Sequence, residues 1–295
     1  MPVDRAVVNR LVEHLTDTDL ELLGGFAHRL LPDDQRSNWH GNPDALLLLM
    51  AHPELFRALF GADTNDSLLL ASPFLLFFVL VCQGRSELGE RSFTEEWVGY
   101  HRRVPVFAAD ELSEFMAPVG RRYFIAELLA SYTHVSSGVM LIRSGTSVRR
   151  SRYSELDPVR MAQLVFLVPD AARHSVLRRL GDLALFLTGV FPDHLGSHPL
   201  SEIDLQRILR SLGATRPSEM DMEPPPRSNP IELFQWVGRR SYQLAVEAAL
   251  RVGAGVSTDV VDLADGFAHA RRFLNFLTDR HLCGLRGRWF GIEQA

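Results

Sequence analysis

The sequence predicts a mainly α-helical protein: one multi-helix domain over residues 1–295, with a short β-hairpin and a proline-rich surface connector over residues 213–230. Three observations carry this prediction. Apolar residues recur at helical spacing along most of the chain. Residues 139–153 alone read as strand, turn and strand, and Pro224-Pro225-Pro226 lies among acids and small residues, where an exposed extended segment is expected.

Val7, Leu11 and Leu15 open the helical pattern, and residues 45–60 continue it through Leu46, Leu49, Met50, Leu55, Phe56 and Leu59. Residues 68–82 are the most apolar run. The run falls short of the roughly 20 residues that span a bilayer, so it reads as a core helix, with Ser72 as its cap and Pro73 in its first turn. Residues 110–135 form an amphipathic stretch that Pro118 and Gly120 should divide in two. In the hairpin that follows, Gly145 can supply the positive φ of a short turn. Helices resume at Asp157 and at Ala171, the second closing in Gly189-Val190-Phe191-Pro192. Two last helices, residues 231–252 and 258–282, carry Phe234, Trp236, Tyr242, Phe267, Phe273 and Phe276. A helix pair cannot hold such a core alone, so it should dock onto the preceding part, with any surplus apolar surface forming a homodimer contact.

The chain contains no lysine, and all 31 of its basic side chains are arginines. That excludes a P-loop, a pyridoxal Schiff base and the protein-kinase lysine. A GC-rich coding bias and a surface kept free of amines both fit the absence. The net charge of −5 argues against a generic nucleic-acid binder. Cys82 and Cys283 are too far apart in sequence to suggest a disulfide framework or a thiolate metal site, and the charged N-terminal segment lacks the pattern of a signal peptide. A cytoplasmic protein without a membrane span is expected. The zinc helix, the nucleophile elbow and the dinucleotide fingerprint are all absent from the sequence.

Residues 180–192, Leu-Gly-Asp-Leu-Ala-Leu-Phe-Leu-Thr-Gly-Val-Phe-Pro, and Arg271-Arg272-Phe273-Leu274-Asn275-Phe276 give the chain its one resemblance over more than a local motif. It resembles an uncharacterised family of bacterial helical proteins, a likeness that implies a helical fold and brings no activity or ligand.

Three groups of residues are candidate sites. Asp182 stands in an apolar run, where an ionised carboxylate needs a partner; Arg178 and Arg179, four and three positions earlier, are the expected ones. Glu127 and His134, with Asp265 and His269, offer carboxylate and imidazole ligands suited to iron or manganese. This set is similar to the ligands of haem-oxygenase-like di-iron enzymes, although no further glutamate is evident beyond Glu95 and Glu96. Arg143, Arg149, Arg150 and Arg152 make the hairpin the densest arginine cluster, with guanidinium forks suited to phosphate. No complete catalytic set emerges. The expected function is therefore a soluble, non-enzymatic interaction or regulatory protein that binds itself or another protein and needs no cofactor. A metal-dependent oxidoreductase and an arginine-led nucleic-acid binder are the alternatives.

Overall fold

The structure, a computed structural model, describes residues 5–61, 70–99, 102–135, 137–144, 147–197, 200–213, 225–226 and 229–291, with the backbone alone at 5, 99, 137, 140–144 and 147–153. The protein is mainly α, as the sequence predicts. Its residues form two compact units, 1–94 with 107–133 and 95–106 with 134–295.

The first unit holds α1 (Arg5–His14), α2 (Asp17–Leu30), α3 (Asp33–Arg36), α4 (Pro43–Met50), α5 (Pro53–Phe60), α6 (Pro73–Leu88), α7 (Ala109–Phe115) and α8 (Val119–Ser131). Helix α6 is the apolar run. Ser72 Oγ accepts from Leu75 N at 3.2 Å, Pro73 fills the first turn, and every side chain from Phe74 to Cys82 is buried. From Phe74 to Cys82 the helix has no polar face and is covered on all sides, and α8, α7, α5 and α4 are among the helices packed against it. Fully buried Asp19 fixes its start: Asp19 completes a capping box with Thr16 at the head of α2 and accepts from Ser72 N at 2.8 Å. The helical period over residues 45–60 is split in two. Pro53 cannot donate to the preceding turn, so α5 restarts there, with His52 Nδ1 accepting from Glu54 N at 3.2 Å. The break expected at Pro118 separates α7 from α8.

The second unit contains β1 (Thr94–Gly99, from Glu95 onward), β2 (Arg102–Val106), β3 (Ser137–Ser144), β4 (Ser147–Ser154), α9 (Pro158–Leu164), α10 (Asp170–Val190), α11 (Pro192–Ser197), α12 (Glu202–Ser211), α13 (Pro230–Arg251), α14 (Thr258–Asp265), α15 (Phe267–Leu277), a π-helical turn (Thr278–Leu282) and α16 (Arg286–Phe290). Strands β3 and β4 form the expected antiparallel hairpin, pairing Ile142 with Arg149 and Leu141 with Arg150. A second two-stranded sheet, β1 with β2, was not expected. Its strands are short and rich in charge, and Pro105 in β2 weakens the sequence signal. Of the expected connector, residues 214–224 and 227–228 lie outside the described residues, and Pro225 and Pro226 are half-buried.

Helix α10 is the axis of this unit, with α13 and α15 packed along it. Glycines set how closely they approach. A Cβ on Gly181 would lie 2.6 Å from the Tyr242 ring, one on Gly189 would lie 2.6 Å from Leu274 Cβ, and one on Gly238 would overlap Phe267. The last two helices thus dock onto α10, upstream of the connector, but the second is not continuous: Gly266 ends α14 and starts α15. Among the described residues no helix is long and apolar enough to cross a membrane.

Candidate functional site

Asp182 is buried on α10, and Tyr242 and Arg178 are among the partners of its carboxylate. Tyr242 Oη donates to Oδ1 at 2.9 Å, and Arg178 Nε lies 3.9 Å from Oδ2, one helical turn away. Arg178 is thus the ion partner that the sequence suggests, whereas Arg179 turns to Glu155 at 3.1 Å. Tyr242 was not foreseen because it is 60 residues away. Gly181, next to Asp182, was the available signal. The missing Cβ lets the Tyr242 ring approach α10 closely enough for its hydroxyl to reach the neighbouring carboxylate.

Asp182 lies at a cleft of about 380 Å³. One wall is a polar stripe of α10, formed by His174, Ser175, Arg178 and Asp182. The remaining lining is short and mostly aliphatic: Ala245 and Ala249 from α13, Val256 and Ser257 from the following loop and Val260 from α14. Ser175 Oγ lies 3.2 Å from His174 Nε2 on the same helical turn.

The four residues proposed for a metal do not share the helices that the sequence implies. Helix α8 ends at Ser131, where Ser131 and Thr133 turn their hydroxyls back to the carbonyls of Leu128 and Ala130. Glu127 is therefore on the helix, 3.7 Å from His14 Nε2, and His134 is exposed beyond its end. Asp265 is exposed as the last residue of α14, and half-buried His269 belongs to α15, across the break at Gly266. Among the described residues no three His, Cys, Asp or Glu side chains gather as a metal centre requires. The side chains of Arg143, Arg149, Arg150 and Arg152 lie outside the described residues.

Glu96, considered as a further metal ligand, is instead buried between two guanidinium groups. It pairs with Arg271 and, at 2.8 Å, with Arg272. Burial lowers the pKa of Arg271 from its ordinary value, and the Glu96 carboxylate opposes that shift. Cys82 is buried in α6; burial pushes its thiol up, against the pull of Arg122, so it behaves as a small hydrophobe.

The two stretches singled out in the sequence meet in space. Asn275 Nδ2 donates to the carbonyls of Thr188 at 2.9 Å and Gly189 at 2.8 Å. Thr278 Oγ1 also reaches Gly189 O at 3.3 Å, and Arg286 Nη1 reaches Val190 O at 2.9 Å. These side chains supply donors at the C-terminus of α10, where Pro192 cannot, and the positive charge of Arg286 suits the negative end of the helix dipole. Comparison with family models, with curated proteins and with solved structures returns no match.

Proposed function

We propose that this is a soluble, cytoplasmic, non-enzymatic regulatory protein that captures a small molecule in the cleft beside Asp182. The cleft itself carries the reading. Its volume of about 380 Å³ falls within the roughly 300–1,000 Å³ typical of ligand sites, and it combines an aliphatic wall with a few convergent polar groups. The arrangement suits binding better than chemistry. Asp182 is engaged by Tyr242 and Arg178, and the Ser175–His174 contact joins sequence neighbours on one turn.

A fragment library screened by ligand-observed NMR tests this reading. Hits should bind the wild type and be lost in Val256→Trp, which places a large ring in the cleft from a half-exposed loop position. A library without hits, or hits that Val256→Trp leaves unchanged, would overturn it. The expected homodimer belongs to the same proposal. Leu250, Val252 and Val261, on the last two helices and the loop between them, are 67%, 43% and 39% exposed, and a second copy would cover them.

A further inference from the structure

We infer that the chain is kept free of lysine because the protein works in contact with activated acyl groups, and that guanidinium groups stand on its surface where an ε-amine would be acylated. The inference does not rest on the cleft. Three observations converge on it.

The first is that base composition does not account for the gap. The lysine codon AAG holds a single G or C, as do the phenylalanine, methionine and tyrosine codons that a GC-rich gene favours, yet the chain has 18, 7 and 5 of those residues and no lysine. A core retains its aromatic residues whatever the bias. Asparagine has no such protection: Asn9 and Asn38 are exposed, and their codon AAC differs from AAG in the third base alone. A bias strong enough to clear every lysine would have cleared these positions as well.

The second is that the guanidinium shape is used at some arginines and idle at others. Buried Arg286 meets Asp193 with two nitrogens, at 3.0 and 3.3 Å, and donates to Val190 O, which a compact ammonium cannot reproduce. Arg57, Arg210, Arg239 and Arg288 are exposed on α5, α12, α13 and α16, and Arg102 is exposed on β2. Among the described residues their side chains make no hydrogen bond, ion pair or ring contact. Helix propensity does not separate lysine from arginine, and on an edge strand lysine is the charge that proteins favour. These five places give arginine no advantage in structure.

The third is what then distinguishes the two side chains. An ε-amine that has lost its proton to solvent attacks the carbonyl carbon of an acyl phosphate or a thioester; the C–N bond of an amide forms, the C–O or C–S bond breaks, phosphate or thiolate leaves, and the nitrogen sheds its second proton. A guanidinium stays protonated and is not acylated in this way. Arg57 belongs to the first unit and the other four to the second, so the exclusion is not confined to one contact face. It matches a donor that reaches any exposed amine, either a small activated acid or a conjugating enzyme of broad acceptor choice, which share this chemistry.

Arg57→Lys, Arg102→Lys, Arg210→Lys, Arg239→Lys and Arg288→Lys, combined in the full chain and expressed in the source organism, test the inference beside the wild type and a control with glutamine at the same five positions. Thermal unfolding of the purified chains establishes that each folds; single lysine variants serve if the combination does not. Intact-mass spectrometry should find adducts on the introduced lysines, and a chase after translation is stopped should show a lifetime severalfold shorter than that of the wild type. The glutamine control should be unmodified and as long-lived as the wild type. A small acyl adduct traces the chemistry to a diffusible donor, and a peptide-sized adduct traces it to a conjugating enzyme. Lysines that stay unmodified, adducts that leave the lifetime unchanged, or a glutamine control that is equally short-lived would each overturn the inference.

Discussion

Replacing Asn275 by alanine removes three hydrogen bonds from a place that no solvent reaches, since Asn275 is fully buried: the two that Nδ2 donates and a longer one that Oδ1 accepts from Arg271 Nη1 at 3.4 Å. The two carbonyls that it serves are not equivalent. Gly189 O retains the Thr278 hydroxyl at 3.3 Å. Thr188 O would ordinarily accept from the residue four positions on, which is Pro192 and has no N–H. An unsatisfied buried carbonyl costs about 1–3 kcal/mol, and partial loss at the second, with the small void, brings the expected destabilisation to about 2–4 kcal/mol. Asn275→Asp keeps an acceptor for Arg271 and should still cost more than alanine, because the oxygen that replaces Nδ2 is set against two carbonyls at the negative end of the α10 dipole. Urea unfolding followed by circular dichroism gives both values, and amide exchange in the last turn of α10 locates the effect. An alanine variant within 0.5 kcal/mol of the wild type, or an aspartate variant as stable as the alanine one, would refute the capping argument.

Gly238→Ala should destabilise by about 1–3 kcal/mol or more, since the new methyl overlaps the fully buried Phe267 ring and thermal unfolding would register the loss. Burial raises the Asp279 carboxyl above its ordinary value, against the pull of Arg103. The folded protein therefore holds that proton more tightly than the unfolded chain does. Stability from this group is present below the unfolded value of about 3.9 and falls as pH rises through the raised folded value; Asp279→Asn should remove that slope from a pH series of urea midpoints. A fragment of residues 1–220 lacks α13 and α15, which cover α10, and should be molten or insoluble; a well-folded monomeric fragment contradicts this. Sedimentation of the intact chain should show a dimer that Leu250→Glu dissociates.

Features encoded by neighbouring residues were legible in the sequence. Ser72-Pro73 and Asp157-Pro158 announce helix starts because cap and first-turn proline are adjacent, and Asp157 Oδ1 accepts from Val159 N and Arg160 N as such a cap should. The hairpin was legible from its central glycine. Features made by distant residues were not. Glu96 looks like any strand carboxylate until Arg271, 175 residues later, is placed beside it. The apolar side of the cleft comes from α13, α14 and the loop between them, whose alanines and valines match ordinary core positions. The break at Gly266 was also missed, because the period of apolar residues runs across it and Gly266 has no positive φ to mark a stop.

The way α10 ends also has a consequence for synthesis. A helix closed by its own next residues can be completed as soon as it leaves the ribosome. Here the donors for the carbonyls of Thr188, Gly189 and Val190 arrive 86 to 96 residues later, on Asn275, Thr278 and Arg286. The final turn of the central helix therefore stays unfinished while nearly a third of the chain is still being made. The second unit cannot complete its central helix until residues 275–286 have emerged, and a message cut short before codon 275 yields a helix whose end lacks all of these donors.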